Sequence, residues 1–166
     1  MDLRVGHGRD THRLSRGRKL ILGGVPIDFE RGLIGHSDAD VLLHAITDAL
    51  FGAAGLGDIG EWFSDRDPQW AGADSAALLK SALREVRGRN WKIVNLDCTI
   101  SAEQPRLSSH KATIRGRIAE LLELPAENVN IKAKTGEGVG PVGRGEVIEA
   151  DAVVLLARDS SGAETK

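Results

Sequence analysis

The chain has a single cysteine, Cys98, so no disulfide closes within it and no zinc site is built from several thiolates. It also lacks a basic excess. Its 22 Lys and Arg stand against 24 Asp and Glu, a formal net charge of -2, so no nucleic-acid partner is expected. No apolar run reaches the roughly 18 residues that cross a membrane, so no membrane partner is expected either. The first residues, Met1-Asp2-Leu3-Arg4-Val5, lack the apolar core of a secretory signal. Together these absences suit a soluble, cytoplasmic domain. There is no internal repeat and no long linker. The 166 residues, 41% of them hydrophobic and 28% charged, suffice for one domain with its own core.

Glycine is abundant, at 20 residues, and clusters at positions 6–8, 52–60 and 136–145. Such clusters mark backbone that turns sharply or approaches something closely. Strand patterns fall at 3–8, at 19–28 with a hairpin or bulge at Gly23-Gly24, at 91–101, and at 129–135 and 147–157, read as a closing pair. In the third of these, Ile93, Asn95, Asp97 and Thr99 share one face by alternation, and Val94, Leu96, Cys98 and Ile100 the other.

Helices are predicted between the strands. The first is capped by Ser37 with Asp40 three residues on and runs to about Ala54, with Val41, Leu42, Ala45, Ala49 and Ala53 inward. The second starts near Asp74 and buries Leu78, Leu79, Ala82 and Val86. The third starts near Pro105 and buries Ile114, Ile118, Leu121 and Leu122. The expected fold is α/β (α+β): a two-layer mixed β-sheet with helices packed on one face, one domain over 1–158 and a flexible tail over 159–166.

Asp10 and His12 are two apart in an extended segment, so both side chains point the same way. His44 lies on the first helix, where Asp40, His44 and Asp48 share a face. Two histidines and a carboxylate suit zinc with one open position. Residue types alone leave His44 equally readable as a hydrogen-bonded core histidine, and His7 and His36 as further candidates.

Two glycine-rich loops add polar groups. Residues 55–60 end in Asp58-Ile59-Gly60, able to meet a diol, or simply to cap a helix and lead into a solvated loop. Residues 136–146 follow Thr135 and carry Glu137 and Arg144. A Thr hydroxyl with loop amides suits phosphate, a Glu suits Mg²⁺ or Mn²⁺, and an Arg pairs with phosphate or carboxylate. A mobile surface loop with a structural ion pair is the plainer alternative. The Gly-Lys-Ser/Thr signature of nucleotide-hydrolysing loops is missing.

Taken in order, these segments resemble the 2-C-methyl-D-erythritol 2,4-cyclodiphosphate synthases. The most specific stretches are Gly6-His7-Gly8-Arg9-Asp10-Thr11-His12 and Gly35-His36-Ser37-Asp38-Ala39-Asp40-Val41-Leu42-Leu43-His44-Ala45. Asp48-Ala49-Leu50, Gly57-Asp58-Ile59-Gly60 and Asp65-Arg66-Asp67-Pro68 follow, and the chain ends on Val129–Thr135 with Glu137 and Gly143-Arg144-Gly145-Glu146. The likeness runs from Arg4 to about Leu156.

The resemblance implies a lyase of the non-mevalonate isoprenoid pathway. It cyclises a cytidine diphosphate-linked substrate with release of CMP, in a homotrimer whose active sites lie between subunits. It further implies that Asp10, His12 and His44 bind Zn²⁺ and that Glu137 binds Mg²⁺ or Mn²⁺. His36 and Thr135 match transition-state stabilisers. Substrate contacts are implied for Asp10, Thr11, His12, His36 and Ser37, for Asp58, Ile59 and Gly60, and for Phe63, Ser64, Asp65, Arg66 and Asp67. The cytidine pocket, on a neighbouring subunit, is implied for Ala102, Glu103, Gln104, Pro105, Arg106, Leu107 and Ser108 with Lys134 and Thr135. Gly136, Glu137, Pro141 and Arg144 complete the set. Asp48 or Asp40 is expected to hold the free nitrogen of His44.

The sequence departs from the family pattern at Gly136, where Thr or Asn is usual, at Val147, where Gly is common, and at Arg66, in place of a smaller polar residue. Two alternatives use the same residues: a zinc-dependent phosphohydrolase, and a non-catalytic trimer that binds an isoprenoid phosphate. Neither accounts for the ordered set of matches.

Overall fold

The computed structural model describes residues 1–64, 67–70 and 72–159. Most of the tail expected over 159–166 therefore lies outside the described residues. Strand β1 (Asp2–Arg16) is more than twice the expected length and carries Asp10 and His12 within it. Strands β2 (Leu20–Leu22) and β3 (Val25–Ile27) form the hairpin expected at Gly23-Gly24. Strand β4 (Arg31–Leu33) was not legible in the pattern and pairs antiparallel with the end of β1. Helix α1 (Val41–Ala54) leads to a single turn, α2 (Ile59–Trp62), and then to α3 (Ser75–Gly88). Strand β5 (Lys92–Ser101), helix α4 (Lys111–Leu122), strand β6 (Val129–Lys134), the short turn α5 (Gly140–Gly143) and strand β7 (Val147–Arg158) complete the order.

The sheet order is β4-β1-β7-β5-β6. All neighbours are antiparallel except β5 and β6, which run parallel around the α4 crossover, so the sheet is mixed. The expected closing pair is corrected: β6 and β7 are not neighbours, because β5 lies between them. The reading of β5 is also corrected. A register shift between Ile93 and Asn95 turns Ile93 toward the core and leaves Val94 39% exposed. A bulge of this kind breaks strict alternation.

Helices cover one face of the sheet. The inward positions Ile148, Ala150, Ala152, Val154 and Leu156 of β7 meet Leu42, Ile46, Ala49 and Leu50 of α1, all fully buried. Glycine makes this approach possible. A Cβ on Gly8 would lie 2.0 Å from the Ala45 carbonyl oxygen, and one on Gly6 1.9 Å from that of Ala49. The close seating of α1 on β1 carries His44 to Asp10. The other face stays open, with Leu3, Val5 and Val153 exposed at 57%, 69% and 41%.

Helix caps differ from the pattern in two places. Asp74 caps α3 as expected, but α1 is capped by Asp40, not Ser37, and α4 starts at Lys111, six residues beyond Pro105. Asp40 is fully buried and accepts four backbone N–H groups, from Leu42 and Leu43 and from the hairpin residues Gly23 and Gly24. Burial raises its pKa to about 6, against the lowering by the Gly24, Gly23 and Leu43 amides. Asp40→Ala removes the cap and strands two hairpin amides. Chemical unfolding should show a loss of about 3 kcal/mol.

Candidate metal centre and substrate cavity

Three side chains meet where β1 passes the first turn of α1. Asp10 Oδ2 lies 2.9 Å from His12 Nε2 and 3.0 Å from His44 Nδ1, and those two nitrogens are 3.2 Å apart. The edges of a tetrahedral zinc site with N and O ligands measure about 3.3 Å. Among the described residues this is the only group of three or more His, Cys, Asp or Glu side chains close enough to share an ion.

The hydrogen bonds around the cluster assign its lone pairs. The Ile34 carbonyl accepts from His12 Nδ1 at 2.8 Å, so the neutral ring carries its proton there and Nε2 is bare. Asp10 takes the Thr11 amide at its other oxygen, at 2.8 Å. Burial alone would raise the Asp10 pKa. The imidazoles of His12 and His44 beside it outweigh this and hold the carboxyl well below the usual range. Burial would likewise lower the His12 pKa, but Asp10 outweighs it and raises it. Electron pairs converging at this spacing repel unless a cation or a proton lies among them. The donor set therefore fits a divalent metal.

His12 and His44 open onto a cavity of about 440 Å³ that His36, Ser37, Ile59, Gly60 and Phe63 also line. Gly35, Trp70 and Leu78 complete its wall and were not among the expected site residues. Aromatic residues are only 4% of the chain, yet four of them form one cluster here. Trp62 stacks on Phe51, and Phe63 meets Trp70 edge-on, both at 5.1 Å between ring centres. Apolar side chains of this kind carry no positional signature that separates a cavity wall from a core.

Asp40 and Asp48 do not hold His44, and that expectation is corrected. Asp40 is the α1 cap, and Asp48 accepts the Ile59 amide at 2.7 Å, tying α1 to α2. The Nε2 atom of His44 instead faces Ser75 Oγ at 2.9 Å and Ser37 Oγ at 3.1 Å. Ser75 in turn donates its hydroxyl to Asp38. No spacing rule links residue 75 to residue 44, so sequence reasoning missed this partner.

A second cavity, of about 130 Å³, lies at the ends of β5 and β6. Ala102, Pro105, Arg106, Leu107 and Ser108 line it with Ala133, Lys134 and Thr135. Glu103 instead accepts the Gly136 amide at 3.0 Å, and Gln104 is exposed. The pairs Asp10–Ala150, Ala150–Ile100 and Ile100–Ala133 form one row across the sheet. That row sets the two cavities three strand spacings apart, about 14 Å.

The remaining expected residues are spread more widely. Thr11 braces Asp10 with its amide, while its side chain takes an odd position on the open face of β1. Asp58 caps α2 and is exposed, and Asp67 caps the turn at Pro68–Trp70. Ser64 adjoins Phe63, and Asp65 and Arg66 lie outside the described residues. Glu137 and Pro141 are exposed, and Arg144 pairs with Glu146 at 2.8 Å. His7 meets Asp151 at 3.3 Å on the open face, apart from the cluster. The departure at Gly136 has a steric reason: a Cβ there would lie 2.3 Å from the Gly143 nitrogen. Val147 opens β7 opposite Arg13 in ordinary pairing.

A family model described as the YgbB family matches residues 3–157. A curated 2-C-methyl-D-erythritol 2,4-cyclodiphosphate synthase of Burkholderia mallei (strain SAVP1) is 56% identical over 161 residues, 97% of this chain and 99% of that protein. The bifunctional IspDF of Campylobacter jejuni superposes with a TM-score of 0.90 at 41% identity, covering 93% of this chain and 42% of that one. A solved 2C-methyl-D-erythritol-2,4-cyclodiphosphate synthase in a CDP-bound form gives 0.86 at 39% identity, covering 93% of this chain and all of that one.

Proposed function

Because the chain belongs to the YgbB family, we propose that it is a 2-C-methyl-D-erythritol 2,4-cyclodiphosphate synthase. It cyclises 4-diphosphocytidyl-2-C-methyl-D-erythritol 2-phosphate with release of CMP. The observation that carries this reading is the Asp10–His12–His44 cluster opening onto a cavity that His36, Ser37, Ile59 and Gly60 share.

The reaction is an intramolecular phosphoryl transfer. The 2-phosphate oxygen attacks the β-phosphorus, the bond from that phosphorus to the CMP oxygen breaks, and CMP leaves with the electron pair. The nucleophile is already an anion at neutral pH, so no strong base is required. The chain must instead fold the substrate for in-line attack and offset the charge gathered on its phosphates. Zn²⁺ on Asp10, His12 and His44, with Mg²⁺ or Mn²⁺ on Glu137, supplies Lewis acidity to those phosphates when bound. His36 at the cavity mouth and Thr135 at the second cavity donate to phosphate oxygens as charge develops. Asp58, Ile59 and Gly60 orient the methylerythritol diol, and Phe63, Ser64, Asp65, Arg66 and Asp67 are proposed as further contacts to it. Residues 102–108 with Lys134 and Thr135 hold the cytidine. Thr11, Gly136, Pro141 and Arg144 complete the proposed contacts.

The assembly proposed is a homotrimer with sites between subunits. The exposed Leu3, Val5 and Val153 on the open sheet face support it, as does the separation of the two cavities within one chain. No helix among the described residues is long and apolar enough to cross a membrane. Burial pushes the Cys98 thiol pKa far up and leaves it inert, which suits the cytoplasm we assign.

Phosphorus NMR of the purified protein with substrate, Zn²⁺ and Mg²⁺ tests the reading. The cyclic diphosphate should appear together with CMP. An acyclic product carrying solvent oxygen would replace cyclisation with hydrolysis, and no reaction would remove the assignment. Glu137→Gln should raise the Mg²⁺ concentration for half-maximal rate on the order of tenfold and leave zinc content unchanged. An unaltered Mg²⁺ titration would take Glu137 out of the second metal site.

A further inference from the structure

One helical turn beyond His44, the half-buried Asp48 carboxylate reaches from α1 to the segment that follows the helix. Its Oδ1 accepts the Ile59 amide at 2.7 Å, and because the donor is a backbone N–H the direction of this bond is fixed. Ile59 is the first residue of α2, so no carbonyl of its own helix can take that amide. Asp58 caps the same turn, but its side chain accepts the Glu61 amide instead. Ile59 and Gly60 line the cavity onto which His12 and His44 open, and Asp48 is not part of that lining.

The same side of α1 holds the far end of this segment. Positions 44, 48 and 51 follow the i, i+4, i+7 spacing of one helix face. Phe51 is fully buried and stacks on Trp62, and the Trp62 indole N–H donates to the Leu56 carbonyl at 2.7 Å. Between these anchors Gly57 takes a φ of +80°, a left-handed turn with no side chain of its own to hold it. The Asp48 bond ties down the residue two places further on. His44 and Asp48 ride on one helix, about 6 Å apart along its axis, so the cluster and this anchor keep a fixed separation.

We propose that Asp48 sets the position of the Asp58-Ile59-Gly60 stretch against the metal cluster, and with it the affinity for the polyol portion of the substrate. It is a positioning residue, since it acts through the Ile59 backbone. This role rests on the reading of Asp58, Ile59 and Gly60 as contacts to the methylerythritol portion.

Two substitutions separate the hydrogen bond from the charge. Asp48→Ala removes both. Asp48→Asn removes the charge and keeps a carbonyl oxygen for the Ile59 amide. The substrate is a polyanion, so loss of a nearby carboxylate by itself would favour binding, opposite in direction to loss of the anchor. Steady-state rates are measured with the cytidyl-diphosphate substrate. Calorimetry on the zinc-loaded full chain follows CDP, which lacks the polyol. Hydrogen exchange follows the Ile59 amide on metal-free protein.

Asp48→Ala should raise KM about tenfold and keep kcat within about threefold, as expected when one hydrogen bond that supports ground-state binding is lost. CDP affinity should stay unchanged, and exchange at Ile59 should quicken about tenfold. Asp48→Asn should remain within about threefold of the unsubstituted protein in every readout. A merely structural role would lower kcat and the CDP stoichiometry together and leave KM alone. That pattern, an unmoved KM in folded Asp48→Ala, or an asparagine variant as impaired as the alanine one overturns the role. So does an Ile59 amide that exchanges as fast as an exposed loop amide in the unsubstituted protein, a result that stands even where the alanine variant fails to fold. If the unsubstituted protein does not turn the substrate over, the functional reading falls and this role with it. Turnover with an unmoved KM removes the role alone.

Discussion

Replacing His44 with alanine should remove stoichiometric metal and lower turnover by at least about a thousandfold. The expectation follows from what remains. Asp10 and His12 alone leave two ligands, fewer than the three protein ligands a catalytic zinc site normally holds. Asp10 also loses one of the two imidazoles that keep its half-buried carboxyl ionised, so the surviving site is a poorer anion as well as a smaller one. His12→Ala should act alike, since its Nε2 lies as close to Asp10 as His44 Nδ1 does. The fold should tolerate either change. His44 sits at the edge of α1, whose buried Leu42, Leu43, Ile46 and Leu50 hold the helix in place. Metal analysis, thermal unfolding and steady-state rates on the same preparation separate the outcomes. A variant that retained both its metal and its rate would show that the cluster is not the reaction centre.

Much of this centre was legible because it obeys local periodicity. Asp10 and His12 share a strand face by a two-residue step, whether or not the strand ends early, so the misjudged length of β1 did no harm. The step from that strand to His44 is different. It depends on Gly6 and Gly8 letting α1 settle onto β1, and sequence shows glycine without showing what it faces. Other features depend on competition between equally suitable residues. Ser37 and Asp40 both suit a cap, and Asp40 wins because its second oxygen also ties the hairpin at Gly24. Ser37 is then left to face His44. The sheet order was hidden for a similar reason. Strands β6 and β7 are consecutive, but β5 pairs with both and separates them, and no local pattern records which edges a strand joins. Ser75 and Asp38 are 37 positions apart and meet only through the packing of α3 beside α1.

Mixing two inactive chains should restore activity if each site is shared between subunits. His44→Ala disables the metal half, and Thr135→Ala should disable the nucleotide half by about a hundredfold. Within one chain those halves line separate cavities, with β7 and β5 between the strands that carry Asp10 and Ala133. In a head-to-tail trimer every interface is equivalent, so the proposed site would join the metal half of one chain to the nucleotide half of the next at each of them. A site then works when one chain is intact at residue 44 and its neighbour is intact at residue 135. In randomly assembled trimers of the two variants at equal amounts, about one quarter of the sites meet that condition. Co-expressed and co-purified variants should therefore recover about one quarter of the unsubstituted rate, well above either variant alone. If a single chain supplied both halves, every site would carry one defect and the mixture would be no faster than its better component. Sedimentation of the mixture checks that the chains assembled, so a failure to restore activity in a proven trimer would assign both cavities of a site to the same subunit.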